Sequence, residues 1–226
     1  MLTITATQNW RQAHPGAYIG LLEVSGVENT GASNTLEAAK RRVEERLRER
    51  YQGYTRPDFL ALPVMQSYHS YYRRFDKTYH ILLQLESVVL KGKSLPRISP
   101  LVDANFAAEL ETLALAAGHD TARLELPLTI DIVRPGETFT QMGGASKTLL
   151  PGDMAMRDRL GVTCTILYGQ DSRSPITPAT SHALYVVYAP PGVGQPAVTA
   201  HLQTVLSNIR LFSPDCRLEQ LTLLEA

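Results

Sequence analysis

The sequence predicts an α+β fold, and three observations carry that reading. The first half holds stretches with helical periodicity, the second half holds alternating apolar stretches, and a strand and a helix flank the chain at each end. Helices and strands segregated in this way argue against a doubly wound parallel sheet. With 226 residues, 44% hydrophobic and 19% charged, the chain has the composition of a soluble globular protein and room for one large domain or two small ones.

"AYIGLLEV", Ala17 to Val24, reads as a strand, and "GVENTGASN" as a turn. Asn34 is placed as an N-cap, with Glu37 in capping-box position. Leu36, Ala39, Val43 and Leu47 then predict an amphipathic helix from Thr35 to about Tyr51. Its outer face carries Lys40, Arg41, Arg42, Glu44, Glu45, Arg46, Arg48 and Glu49, and the mixed signs read as a solvated face with local ion pairs. A second helix starts near Pro63 and carries Val64, Tyr68, Tyr71, Tyr72 and Phe75. A third covers Thr78 to Leu90 and stops at Lys91 and Gly92. A fourth opens with Pro100 after Ser99 and runs to Ala117, with Gly118 as a left-handed cap.

After that the texture changes. "LELPLTIDIV", Leu124 to Val133, puts Leu124, Leu126, Leu128, Ile130 and Ile132 on one face of a half-buried strand. "RPGE" and "MGGASKTLLPGD" are turn-rich. "MAMRD", "GVTCTILYG" and "ALYVVYA" read as strands. Pro196 opens a last helix with Val198, Leu202, Val205 and Ile209 in register, and "RLEQLTLLE" closes the chain as a strand.

Several function classes are disfavoured. Twenty-two basic residues balance 22 acidic ones, so no global field draws in a nucleic acid, and DNA is not expected as a partner. RNA binding would need a local patch. Cys164 and Cys216 have neither metal-ligand spacing nor a disulfide framework, and both read as buried free thiols in strand-like segments. There is no phosphate loop, and "PPGVGQP" lacks the context of a dinucleotide fingerprint. The six histidines are scattered, so no metal and no other cofactor is expected. No apolar run reaches the roughly 18 residues of a membrane span, and "MLTITATQNWRQ" has no basic-then-apolar leader. A cytoplasmic protein is the expectation.

Three stretches carry chemistry. Arg73, Arg74, Lys77, Lys91, Lys93 and Arg97 are interleaved with Tyr68, Tyr71, Tyr72, Phe75 and Tyr79. They form either a patch for phosphates and bases or a core with a solvated rim, and periodicity favours the rim. "GHD", Gly118 to Asp120, offers a histidine beside a carboxylate, although a cap or turn is the plainer use of Asp120. "YGQDSRSPITPAT", Tyr168 to Thr180, is a long polar connection between strands. Such loops are enriched in function, but two prolines also stiffen an exposed loop.

Taken in order, "RRFDKTYHILLQLESVVLKGKSLPRISPLVDANFAAELETLALAAGHD", "PGETFTQMGGASKTLLPGDMAMRD" and "YGQDSRSPITPATSHALYVVYAPPG" resemble the B3/B4 domain. That is the editing domain of the phenylalanyl-tRNA synthetase β subunit, also found in free-standing proteins. The resemblance covers roughly Tyr72 to Phe212. It implies a β-rich globule with a β-sandwich core and helices packed on one side. Residues 61–226 would form that domain, and residues 1–60 a strand–helix extension packed on it.

The resemblance further implies hydrolysis of wrongly attached amino acid from tRNA in trans, or else a non-catalytic module that binds tRNA or an amino acid in the same cleft. Residue by residue, "LVDAN" matches at Val102 and Asp103. The family's following asparagine position is Phe106 here, with Asn105 shifted by one. The family's pocket histidine position is Ala117, and His119 stands nearby, before Asp120. The pocket glutamate position is Ser172, and the Asp171–Ser172 pair is similar to the free-standing branch. The implied catalytic residues are Asp171, Ser172 and His119. The implied substrate-binding residues are Asn105, Asp120, Gln170, Arg173, Thr177 and Thr180. The cations expected to meet tRNA are Arg73, Arg74, Lys77, Lys91 and Lys93.

Overall fold

The computed structural model describes residues 2–226. It begins with β1 (Ile4–Ala6), α1 (Gln8–Ala13) and β2 (Tyr18–Ser25). Five helices follow: α2 (Asn34–Arg50), α3 (Arg56–Leu60), α4 (Pro63–Arg73), α5 (His80–Val89) and α6 (Pro100–Thr112). The strand-rich half comprises β3 (Ala116–Asp120), β4 (Leu128–Ile132), β5 (Thr138–Thr140), β6 (Ser146–Thr148), β7 (Met154–Asp158), β8 (Gly161–Thr165), β9 (Gly169–Gln170) and β10 (His182–Ala189). Helix α7 (Gln195–Arg210) and β11 (Arg217–Glu225) end the chain. The predicted α+β class is what the structure has.

The strands form a five-stranded sheet in the order β1-β4-β7-β8-β9, a four-stranded sheet in the order β11-β2-β10-β3, and the small β5-β6 hairpin. Among the described residues only the β1–β4 pair is parallel. The first sixty residues thus supply β1 to one sheet and β2 to the interior of the other. One apolar core joins Leu128, Ile130, Met154 and Met156 of the larger sheet to Leu184, Val186 and Tyr188 of the smaller. Helix α7 covers the other face of the smaller sheet. Gly20 permits that approach, since a Cβ there would lie 2.5 Å from the Val198 side chain. Strand β3 is one edge of this sheet, bridged at His119 by Pro175, and the candidate site is built along it.

The structure changes several expectations. Ser33, not Asn34, caps α2, its side chain accepting from the Leu36 N–H. Glu37 is therefore free of a capping box and pairs with Lys40 and Arg97. On the supposed outer face, Lys40 is only 2% exposed and Glu44 only 4%. Helix α5 is shorter at both ends than Thr78 to Leu90. Helix α6 stops at Thr112 rather than Ala117, because Leu113 turns left-handed at φ 61°. Tertiary partners hold that stop: Tyr79 Oη donates to the Leu113 carbonyl at 3.0 Å, and Glu109 Oε1 accepts from Ala116 N–H at 3.0 Å. Gly118 consequently lies within β3.

The strand expected from Leu124 begins only at Leu128, with Leu126 and Pro127 exposed before it. Its alternation also conceals the buried Asp131, which accepts from Thr7 Oγ1 at 2.7 Å and pairs with Arg157 and Arg134. The strand expected to reach Gly169 ends at Thr165, whose hydroxyl accepts from Tyr168 N–H and turns the chain. Both cysteines are buried, but Cys216 precedes β11 rather than lying in a strand. Among the described residues no helix is long and apolar enough to cross a membrane.

Candidate functional site

A cavity of about 230 Å³ opens between α6, the β3 edge and the segment Tyr168 to Thr180. Val102, Asn105 and Phe106 come from α6, Ala116 and Gly118 from β3, and Gln170, Pro175 and Ile176 from the polar segment. Gly118 makes the space possible. A Cβ there would lie 2.6 Å from Ile176 Cδ1 and 3.0 Å from the Tyr185 ring. The lining is mostly apolar, with two amides. Asn105 is buried, its Nδ2 donating to the Ala116 carbonyl at 3.2 Å, while its Oδ1 has no hydrogen-bond partner among the described residues. One helical turn on, Glu109 is fully buried. Burial raises its pKa to about 8, against the hydrogen bonds from Ala116 N–H and Asn105. It therefore carries a proton at neutral pH.

The rest of the polar segment is stitched down by its own side chains. Asp171 Oδ1 accepts from the N–H groups of Arg173 and Ser174 and from Ser174 Oγ at 2.9 Å. Its Oδ2 lies 2.6 Å from Arg173 Nε. Arg173 also makes a two-pronged pair with Asp158, at 2.9 and 3.2 Å. His119 Nδ1 is 2.8 Å from Ser174 Oγ. That hydroxyl donates to Asp171, so His119 Nδ1 carries the hydrogen. His119 is wholly buried, and burial lowers its pKa to about 4, with Asp158 pulling it up and Arg173 pushing it down. It is neutral at physiological pH.

The residues singled out in the sequence fall into three groups. Asn105 and Gln170 line the cavity. Asp171, Ser172 and Arg173 line a separate recess of about 130 Å³ beside Thr138, Thr140 and Gly161. His119, Asp120, Thr177 and Thr180 line neither. Asp120 caps the turn Thr121–Arg123 by accepting from Ala122 N–H, and it accepts from Thr180 Oγ1 at 2.8 Å. Thr180 Oγ1 in turn accepts from Thr177 N–H at 2.9 Å. These three close the segment onto β3. Sequence reasoning missed Gly118 as a cavity wall, Ser174 and Asp158 as anchors, and Glu109 as a buried acid. Ser174 had a signal in the polar crowding of its segment, whereas Asp158 sits in an ordinary-looking strand.

Arg73, Arg74 and Lys77 are exposed around the end of α4, and Lys91 and Lys93 in the loop after α5. The interleaved tyrosines are core. Tyr68 Oη donates to the Tyr188 carbonyl, Tyr71 Oη to Asp153, Tyr72 Oη to the Ile166 carbonyl and Tyr79 Oη to the Leu113 carbonyl, so none offers a free ring face for a base. Arg74 lies over the Tyr71 and Phe75 rings.

Comparison with solved structures finds an N-terminal fragment of the phenylalanyl-tRNA synthetase β subunit from Pyrococcus horikoshii, at a TM-score of 0.51 and 9% identity. The match covers 93% of this chain and 49% of that one, so the chain spans about half the length of the synthetase fragment. At this identity the likeness is one of fold, and it is the fold the sequence resemblance implied. No protein-family model and no curated protein matches the sequence.

Proposed function

We propose that this protein hydrolyses a wrongly attached amino acid from the 3′ end of tRNA, acting in trans. The observation that carries the reading is the cavity between α6 and the segment Tyr168 to Thr180, in a chain with the fold of a synthetase β-subunit fragment. The amino-acid side chain packs against Val102, Phe106 and Ile176. Asn105 Oδ1, buried and unpartnered, accepts from the substrate's α-ammonium group. An acceptor with no partner costs about 1–3 kcal/mol of desolvation, which a bound ammonium repays. Gln170 orients the attacking water at the mouth. Water adds to the ester carbonyl, the oxyanion collapses, and the ribose oxygen leaves with a proton. An aminoacyl ester is already activated, so positioning and a hydrogen bond to the oxyanion suffice.

Ser172, two residues on from Gln170, is the hydroxyl assigned to that oxyanion. His119, Asp171 and Arg173 are positioning residues, and Asp120, Thr177 and Thr180 hold the closing turn. Arg73, Arg74, Lys77, Lys91 and Lys93 contact tRNA phosphates.

The test is a deacylation screen with purified protein and a panel of correctly and wrongly charged tRNAs. Selective loss of one mischarged species supports the reading and names the amino acid. An Asp171→Ala variant that keeps full deacylase activity would remove Asp171 from the mechanism. One observation favours a second reading, a binding module without catalysis: no carboxylate or imidazole lines the cavity among the described residues. Folded protein that hydrolyses nothing in the panel would favour that alternative and make the cavity's ligand the next question.

A further inference from the structure

Phe106 lines two compartments, the cavity already described and a second groove of about 270 Å³. The walls of the second are Leu83 and Val88 of α5, Leu110 of α6, and Leu95 and Pro96 of the loop between them. Lys93 and Ser87 stand at its rim. Three side chains at four-residue spacing on α2 hold the loop that forms this wall. Arg48 donates to the carbonyls of Val88, Gly92 and Lys93. Glu44 Oε1 accepts from Leu95 N–H at 2.7 Å. Lys40 Nζ donates to the Pro96 carbonyl at 2.7 Å. The loop wall of the groove is thus tied to α2 by side chains. Neither Lys91 nor Lys93 has an ion-pair partner among the described residues, so both ammonium groups are available to an anion.

The geometry points to this groove as the seat of the terminal nucleoside of a single-stranded RNA 3′ end, whose acyl group enters the neighbouring cavity across Phe106. The inference rests on the reading that the aminoacylated 3′ end of tRNA is the ligand, whether or not it is hydrolysed. A ligand that fills both compartments needs two bulky, largely apolar groups joined by a short polar link, and an aminoacylated nucleoside has that form. The base gains from an apolar slot in any sequence context, because every base has a π-face. The phosphates that precede it meet Lys93 and Lys91, which supply locally the positive charge that a net charge of zero withholds globally.

The test uses the unacylated trinucleotide CCA, titrated calorimetrically into the protein. Ser87→Phe fills the groove from the exposed side of α5, and Lys93→Glu reverses charge at the rim. Ser87→Phe is expected to weaken the trinucleotide about tenfold, the worth of one stacked base. Lys93→Glu is expected to weaken it and to lower the salt dependence by about 0.7 in log–log slope, one single-strand phosphate contact. Gly118→Ala, which encroaches on the other cavity, leaves trinucleotide affinity in place. The two groove variants lie on different elements, so a folding defect in one leaves the other to decide. Absent binding, or equal affinity in wild type and both groove variants, overturns the inference. So does a concentration-dependent dimer that Ser87→Phe abolishes, since the groove would then belong to a second copy of the chain. If a mischarged tRNA is hydrolysed and both groove variants keep full kcat/KM, the inference falls and the proposed function stands. If the trinucleotide binds in the groove and no tRNA is hydrolysed, the inference stands and the hydrolase reading falls.

Discussion

Two loops wall the candidate site, and buried charge holds them in opposite ways. The loop 91–98 is gripped from a distant helix. Lys40 reaches Pro96 and Asp103, Glu44 reaches Leu95, Arg48 reaches Val88 to Lys93, and Glu37 pairs with Arg97. The segment 168–180 is held by bonds within itself, from Asp171 to Arg173 and Ser174 and from Thr180 to Thr177, and by anchors spread over several short elements, among them Asp158, His119, Asp120 and the carbonyls of Thr163 and Thr140. A loop fastened to a long helix by buried groups cannot open without disturbing that helix. The segment 168–180 is tied instead to itself and to several short elements, partly through the half-exposed Arg173, so its anchors can release without disturbing any long helix. The comparison therefore assigns rigidity to the groove side of the site and local motion to the polar side.

Lys40 offers the strongest way to break that contrast. Its Nζ lies 2.8 Å from Glu37, 2.7 Å from Asp103 and 2.7 Å from the Pro96 carbonyl, and Lys40 and Asp103 are both buried. Lys40→Met leaves Asp103 with an uncompensated charge, and such losses cost about 3–5 kcal/mol. A urea melt should show that loss in the midpoint. Adding Asp103→Leu to Lys40→Met should recover much of it, because the orphaned carboxylate is then gone. A loss under about 1 kcal/mol would mean that water reaches Asp103, and the groove side would no longer be the rigid one.

The same contrast decides what the sequence could reveal. The segment 168–180 was legible as a built loop, because Asp, Ser and Thr near prolines make bonds with their own backbone and the pattern is local. Its place beside a cavity came only through the family resemblance. The stripe Lys40, Glu44 and Arg48 reads as solvated in the sequence, since its partners lie some 40 to 60 residues away and nothing within α2 distinguishes it from Arg41 or Glu45. The overrun of α6 has a similar origin. Leu113 to Ala117 has good helical composition, and the left-handed Leu113 is set by Tyr79 and Glu109 from elsewhere in the fold. Gly118 looked like a cap because glycine commonly ends helices. Its actual reason, the close approach of Ile176 and Tyr185, is purely tertiary. Helices α4 and α7 were legible because their apolar stripes are the faces they bury.

Glu109 is buried behind Asn105 and bonded to Ala116 of β3, and its titration gives an effect of intermediate size. Burial raises its pKa from 4.5 to about 8, so the native state keeps a proton that the unfolded chain releases. Stability is then lost as pH rises from about 4.5 through 8. Asp153, raised by burial to about 7, acts in the same direction. On the acid side His14 and His119, held near 4 mainly by burial, bind protons only on unfolding, so stability is lost as pH falls from 6.5 toward 4. Glu109→Gln keeps an acceptor for Ala116 N–H and cannot ionise. Relative to this variant, the wild type should lose roughly 3 kcal/mol between pH 5 and pH 8. The acid limb should be shared by both proteins. Parallel alkaline limbs in urea melts would show that Glu109 ionises without cost, through water behind Asn105.

Arg173 gives the smallest effect and the sharpest test of the contrast. It stands between two carboxylates, Asp158 and Asp171, but a third of its side chain is exposed. Water can therefore replace part of what it contributes, and Asp158 and Asp171 keep their backbone N–H donors. Arg173→Met should cost about 1–2 kcal/mol, well short of Lys40→Met. The location of the loss matters more than its size. Hydrogen exchange should quicken at the amides of Asp171 and Ser174, whose bonds to Thr163 and Asp171 depend on the loop, while Leu95 and Ile98 in the groove wall stay as protected as before. Lys40→Met should do the reverse, speeding Leu95 and Ile98 along with the helix that holds them. If Arg173→Met instead lowers protection equally in both loops, the polar segment is no independent unit, and the two walls of the site open together.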